Sequence, residues 1–175
     1  MIDPDTPYPP EREPLLRRAH TDRPPHLRPS LLLAVVMGGF LGTLARYGIA
    51  RLLAGVGGAW PLGTFAVNLV GAFALGLLLH TLSGLGPDAG RLRWFRLVAG
   101  TGFLGAFTTY STLAMDVVGG LTAPQSVVPR WVPFAYAASS VLLGLVCCGL
   151  GVLMIAERIR RRRTPHASKE TGADR

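Results

Sequence analysis

With 175 residues, 49% of them apolar and only 16% charged, and a mean hydropathy of +0.36, the chain is too apolar for an ordinary soluble domain. A net charge of +8 and a pI near 10.7 raise nucleic acid as a partner, but the basic residues flank apolar runs without aromatic interleaving, which points to a membrane surface instead. The apolar runs are continuous rather than alternating, so a β-barrel is excluded and an all-α membrane protein is expected.

Residues 1–30, MIDPDTPYPPEREPLLRRAHTDRPPHLRPS, are rich in proline and mixed charge and read as a disordered cytoplasmic segment. A membrane domain at 31–155 follows, then a basic tail at 156–175 whose last dozen residues also read as disordered. The first apolar run passes Arg46 and Tyr47 without a convincing cleavage site, which argues against a signal peptide. Four runs, at 31–53, 62–82, 97–118 and 132–155, are each close to the ~20 residues a helix needs to cross a bilayer. Trp60, Trp94 and Trp131 each stand just before a run, where an indole prefers the membrane interface.

Span one carries GGFLGTLARYG, in which Gly38 and Gly42 form a small-xxx-small pair suited to close helix packing. Arg46, inside this span, either snorkels to the interface or faces a watery, anion-attracting vestibule. Span two carries GTFAVNLVGAFALG, with Thr64, Asn68 and Gly71 or Ala72 near one face; Asn68 either ties helices together or lines a path.

Span three carries GTGFLGAFTTYSTLAMD, whose residues 105–112 have poor helix propensity. Composition is compatible with an intact helix whose hydroxyls bond back to their own carbonyls, and equally with a local break that frees backbone groups inside protein. In span four Tyr136 and Ser140 are four apart and share a face, beside Ser139. Cys147 and Cys148 point about 100° apart on a helix and read as small packing residues. The four histidines have no ligand spacing, and no nucleophile and base converge, so neither a metalloenzyme nor any other enzyme is indicated.

Of the 18 Lys and Arg, Arg46 lies within span one, Arg51 near its end and Arg130 in the third loop; the other 15 fall in the N-terminal segment, the loop with Arg91, Arg93 and Arg96, and the tail. With four spans those three regions share one side, so both termini of a multi-pass protein of the bacterial cell membrane are expected in the cytoplasm.

The three motifs, in this order on four spans with short loops, resemble the Fluc (CrcB) fluoride ion channels over residues 31–155. The resemblance implies an antiparallel dimer of four-helix subunits, a broken third helix and two fluoride pores along the subunit interface. It also implies a structural sodium ion at the dimer centre, held by the backbone carbonyls of Gly105 and Thr108. The implied fluoride path runs by Thr64, Asn68, Thr112, Tyr136 and Ser140, with Tyr110 and Leu113 at two positions where the family has phenylalanine, and Arg46 near a vestibule.

An aromatic edge is electropositive and can face a small anion, while hydroxyl and amide donors replace its water. Tyr110 keeps a ring edge, whereas Leu113 has none. The charge bias is the second departure, because an antiparallel homodimer requires one sequence to insert both ways. Together they favour a heterodimer with a related subunit of opposite orientation over a homodimer. Two other classes stay in view. A small multidrug-type or proton-coupled exporter wants a membrane-embedded carboxylate, for which only Asp116 at a span's end is offered. A membrane scaffold would use the glycines and hydroxyls for packing alone.

Overall fold

The computed structural model describes residues 28–163; the expected disorder of the N-terminal segment up to residue 27 and of the last dozen residues lies outside them. Two compact units divide at residue 33, the first represented here by residues 28–33 alone, and the packing below concerns residues 34–163. All described regular structure is helical, in the order α1 (Pro29–Leu52), α2 (Leu62–Ser83), α3 (Gly90–Phe95), a π-helical segment (Arg96–Leu104), α4 (Gly105–Phe107), α5 (Tyr110–Thr122) and α6 (Trp131–Arg163).

Local sequence sets most of these boundaries. Pro29 opens α1 where its fixed φ suits a helix and its missing N–H has no partner to lose. The connection AGVGGAW after α1 turns through Gly55, Gly57 and Gly58 at φ of 78°, 94° and 61°, a region that disfavours any side chain. Pro61 then precedes α2, which ends at Ser83 and is followed by Gly84, whose N–H caps the carbonyls of Leu82 and Thr81.

Helices α1, α2 and α6, the last over Trp131–Arg161, are long and apolar enough to cross a membrane among the described residues. The third expected span, 97–118, is not one helix. It runs as the π segment, the single turn of α4, an extended pair Thr108 and Thr109, and then α5. The wide π backbone covers Gly100 and Gly102, where departure from α geometry meets least side-chain resistance. At its other end the fourth expected span overruns its limit. α6 continues from 155 through the start of the basic tail, with Glu157 holding Arg160 and Arg161 at 2.9 and 2.8 Å one turn on.

Small residues let the helices touch backbone to backbone. A Cβ on Gly38 would strike the carbonyl of Val98, one on Gly42 that of Phe103, and one on Gly102 would lie 2.6 Å from Val35 O. The expected small-xxx-small pair of α1 therefore receives the π segment. Between α2 and α6 the arrangement is reciprocal: Gly76 meets the Cys148 carbonyl and Gly151 that of Phe73. Cys147 and Cys148 are both free thiols, and the backbone of Cys148 serves this contact.

Few large apolar residues are buried, chiefly Val67, Leu82, Phe107, Leu113 and Tyr136, while Phe40, Leu52, Met115 and Leu142 stand exposed among many like them. An apolar exterior around a small, glycine-packed interior suits a protein whose solvent is hydrocarbon.

Candidate functional site

The break in the third span organises the site. Thr108 (φ −79°, ψ 160°) and Thr109 (φ −151°, ψ 124°) are extended, so the helical ladder stops at Phe107 and restarts at Tyr110. Each released backbone group then needs a partner from the protein or from whatever occupies the site, because a bare polar group is costly away from water.

Asn68 of α2 supplies two. Its Oδ1 accepts from the Thr109 N–H at 2.8 Å, and its Nδ2 donates to the Thr109 carbonyl at 3.0 Å. A side-chain amide here stands in for a missing peptide neighbour and secures both polar groups of one residue. One turn on, Gly71 leaves room for the break, since a Cβ there would collide with Thr108 Cγ2 and approach the Phe107 ring. Asn68 and Gly71, three apart, are thus on the same side of α2 for one reason.

Thr109 also caps α5. Its Oγ1 accepts from the Thr112 N–H at 3.1 Å and donates to Thr112 Oγ1 at 3.0 Å. Thr108 Oγ1 bonds back to the Leu104 carbonyl at 3.0 Å. These bonds have a consequence for two carbonyls. In a continuous helix Gly105 O would accept from Thr109 N–H, and Thr108 O from Thr112 N–H. Both donors are spent elsewhere, on Asn68 and on the Thr109 hydroxyl, so the carbonyls of Gly105 and Thr108 are released from the ladder.

Two cavities flank the break, and Thr109 lines both. One, of about 260 Å³, is lined by Thr43, Arg46, Tyr47, Thr64 and Thr112 among others. Among the described residues the Arg46 guanidinium has no ion-pair partner, so this cavity carries an uncompensated positive charge beside four threonines, Thr43, Thr64, Thr109 and Thr112. The other, of about 310 Å³, is lined by Asn68, Tyr110, Leu113 and Ser140 among others. Ser140 is only 6% exposed, and its Oγ has no hydrogen-bond partner among the described residues. Tyr110 is 82% exposed, while Leu113, one turn away, is 8% exposed.

Of the residues singled out in the sequence, Arg46, Thr64 and Thr112 therefore meet in the first cavity, and Asn68, Tyr110, Leu113 and Ser140 in the second. Thr64 and Asn68, one turn apart on α2, line different cavities. Tyr136 lines neither. It is 1% exposed, packed edge-on against Trp60 with ring centroids 5.6 Å apart, and its hydroxyl donates to Asp116 Oδ2 at 3.1 Å. Ser139 bonds back to the Tyr136 carbonyl at 3.1 Å.

The cap at Thr109 and the Tyr136–Asp116 clasp are absent from the sequence reading. The first had a signal: a threonine immediately before the helix resumes at Tyr110. The second joins residues 20 apart on different helices and has none in the sequence.

A helix broken against a glycine-packed bundle, with hydroxyls, an amide and a guanidinium gathered around the break, defines an integral membrane protein with a polar site set among its helices. Residues 33–152 match the family described as CrcB-like protein, Camphor Resistance (CrcB). The chain belongs to this CrcB family.

Among its curated relatives, "Fluoride-specific ion channel FluC 2" of Leifsonia xyli is 41% identical over 131 residues, 75% of this chain and 87% of that one. "Fluoride-specific ion channel FluC 1" of Cutibacterium acnes is 45% identical over 118 residues, 67% and 79% of the two chains. "Fluoride-specific ion channel FluC" of Nitratidesulfovibrio vulgaris is 40% identical over 121 residues, 66% and 89%.

Proposed function

We propose that this chain is a subunit of a fluoride-specific ion channel that lets fluoride leave the cytoplasm. The observation that carries the reading is the break at Thr108 and Thr109, braced by Asn68 and flanked by two largely apolar cavities into which a few polar side chains are set. The similarity to chains named as fluoride-specific channels supports the choice of ion. A small, strongly hydrated anion needs donors to replace its water, and the residues present supply them: the guanidinium of Arg46, the hydroxyls of Thr64, Thr112 and Ser140, and the amide of Asn68. The ring edge of Tyr110 adds an electropositive face, and Leu113 adds none. Tyr136 serves the path from behind, by fixing α5 through Asp116.

A structural sodium ion fits the same break. Carbonyl oxygens suit a hard cation, those of Gly105 and Thr108 have given up their helical donors, and Gly105 is exposed, where an opposed subunit could offer equivalent groups. Such an ion would fix the two subunits' breaks together.

The working unit is a dimer of oppositely inserted subunits in the cell membrane, this one with both termini in the cytoplasm. The lopsided distribution of Lys and Arg favours a related partner over a second copy. The numerals in the relatives' names, FluC 1, 2 and 3, are in keeping with organisms that hold more than one such chain. Reconstitution into potassium-loaded liposomes with a potassium ionophore tests the reading: fluoride efflux is expected with a partner subunit and not from this chain alone. Efflux of chloride at the same rate would sink the assigned selectivity, and full fluoride efflux from the lone chain would sink the heterodimer.

A further inference from the structure

Away from the break, a groove of about 410 Å³ runs between the C-terminal end of α2 and the short helix α3. Leu78, Leu82, Leu85, Leu92 and Phe95 form its walls, and Arg91 stands at its rim. The one hydroxyl in the lining, Thr81, is already spent on the Leu77 carbonyl at 2.7 Å. The groove thus offers a polar occupant nothing but the guanidinium.

That guanidinium has no partner among the described residues. Arg93 and Arg96 both lean on Asp88, at 3.7 and 3.6 Å, and Arg93 also donates to the Asp88 carbonyl, but Arg91 has no ion pair or hydrogen bond among the described residues. The location adds more charge. Ile159 of α6 reaches to within 3.9 Å of where a Cβ on Gly84 would stand, so the arginine run after Ile159 begins beside the end of α2 that lines the groove. Exposed Trp94, beside Arg91 and Phe95 on α3, marks the same level as interfacial.

We infer that this groove binds an anionic phospholipid of the surrounding bilayer, its phosphate on Arg91 and an acyl chain along Leu78, Leu82 and Phe95. An apolar slot with one unpaired cation at its mouth, at the head-group level of a membrane protein, matches a lipid's own division into chain and charge. A zwitterionic lipid would fill the slot equally well but gain less at the rim. The inference concerns lipid alone and is independent of which ion the channel passes.

Native mass spectrometry of the full chain in mild detergent, with phosphatidylglycerol or phosphatidylcholine added at equal concentration, provides the test. The wild-type protein should retain phosphatidylglycerol preferentially. Arg91→Gln should cut that retention about fivefold, the loss of one arginine near a head group, and leave phosphatidylcholine unchanged. Leu85→Glu, at a site exposed enough to spare the fold, should weaken both lipids. The double variant Arg160→Gln/Arg161→Gln separates site from surface: preference lost there and kept in Arg91→Gln would mean diffuse attraction to the tail and overturn the proposal. Equal retention of the two lipids by the wild type would overturn it too, as would a groove closed to both lipids because a second subunit covers it.

Discussion

Asn68 shows how one side chain settles a local problem of backbone chemistry. It satisfies the N–H and the carbonyl of Thr109 together. Asn68→Leu strands both, each costing about 1–3 kcal/mol when buried. We expect a loss of about 2 kcal/mol or more in detergent unfolding, together with loss of fluoride efflux. Asn68→Ser, too short to reach both groups, should rescue neither. Leu113 poses the opposite test, because it is a place where something is missing. Leu113→Phe restores an aromatic edge beside the second cavity, whose 310 Å³ leaves room for the ring. Initial fluoride efflux from the assembled channel should rise severalfold at equal protein. An unchanged rate would show that transport does not depend on a ring at this position.

At the scale of elements, α5 is the part on which the site hangs. Thr109 caps its start, Tyr136 holds Asp116 in its middle, and Gly120 near its end packs where a Cβ would come within 2.7 Å of Pro133. Thr109→Val removes the cap and should cost about 1 kcal/mol, read in the same unfolding assay, while Thr109→Ser keeps the acceptor and should cost little. At α1, Gly42→Ala drives a methyl into the Phe103 carbonyl and should reduce the yield of folded protein in detergent, measured by size-exclusion chromatography.

The elements were unevenly legible in the sequence. The three continuous spans follow from uninterrupted apolar length, and the packing role of Gly38 and Gly42 from their spacing. The break did not follow from composition, because threonines tolerate both outcomes. What decides it is Asn68, 41 residues away, which offers the backbone a partner better placed than its own helix. The division of Thr64 and Asn68 between two cavities was equally hidden, since it depends on which neighbours α2 meets. Tyr136 shared a face with Ser140 on the helical wheel, yet Trp60 and Asp116 enclose it.

For the whole molecule, the sharpest consequence of the sequence is orientation. Fifteen of 18 Lys and Arg lie in the segments assigned to the cytoplasmic side, so reporters fused to either terminus should read cytoplasmic in nearly every copy. Comparable signals from both sides of the membrane would overturn the one-way insertion, and with it the reason for a partner of opposite sense. The glycine-to-carbonyl contacts that bind α1 to the π segment and α2 to α6 leave this subunit few soft joints, and α5 is tied at three heights along its length. A conduit assembled on such a frame has no evident moving shutter among the described residues. On the fluoride reading it would stand open continuously, and a permanently open hole in an energised membrane is tolerable only if it is blind to the ions that carry the cell's voltage. A broken helix tied at three heights would thus move the burden of protecting the proton and chloride gradients from timing to recognition.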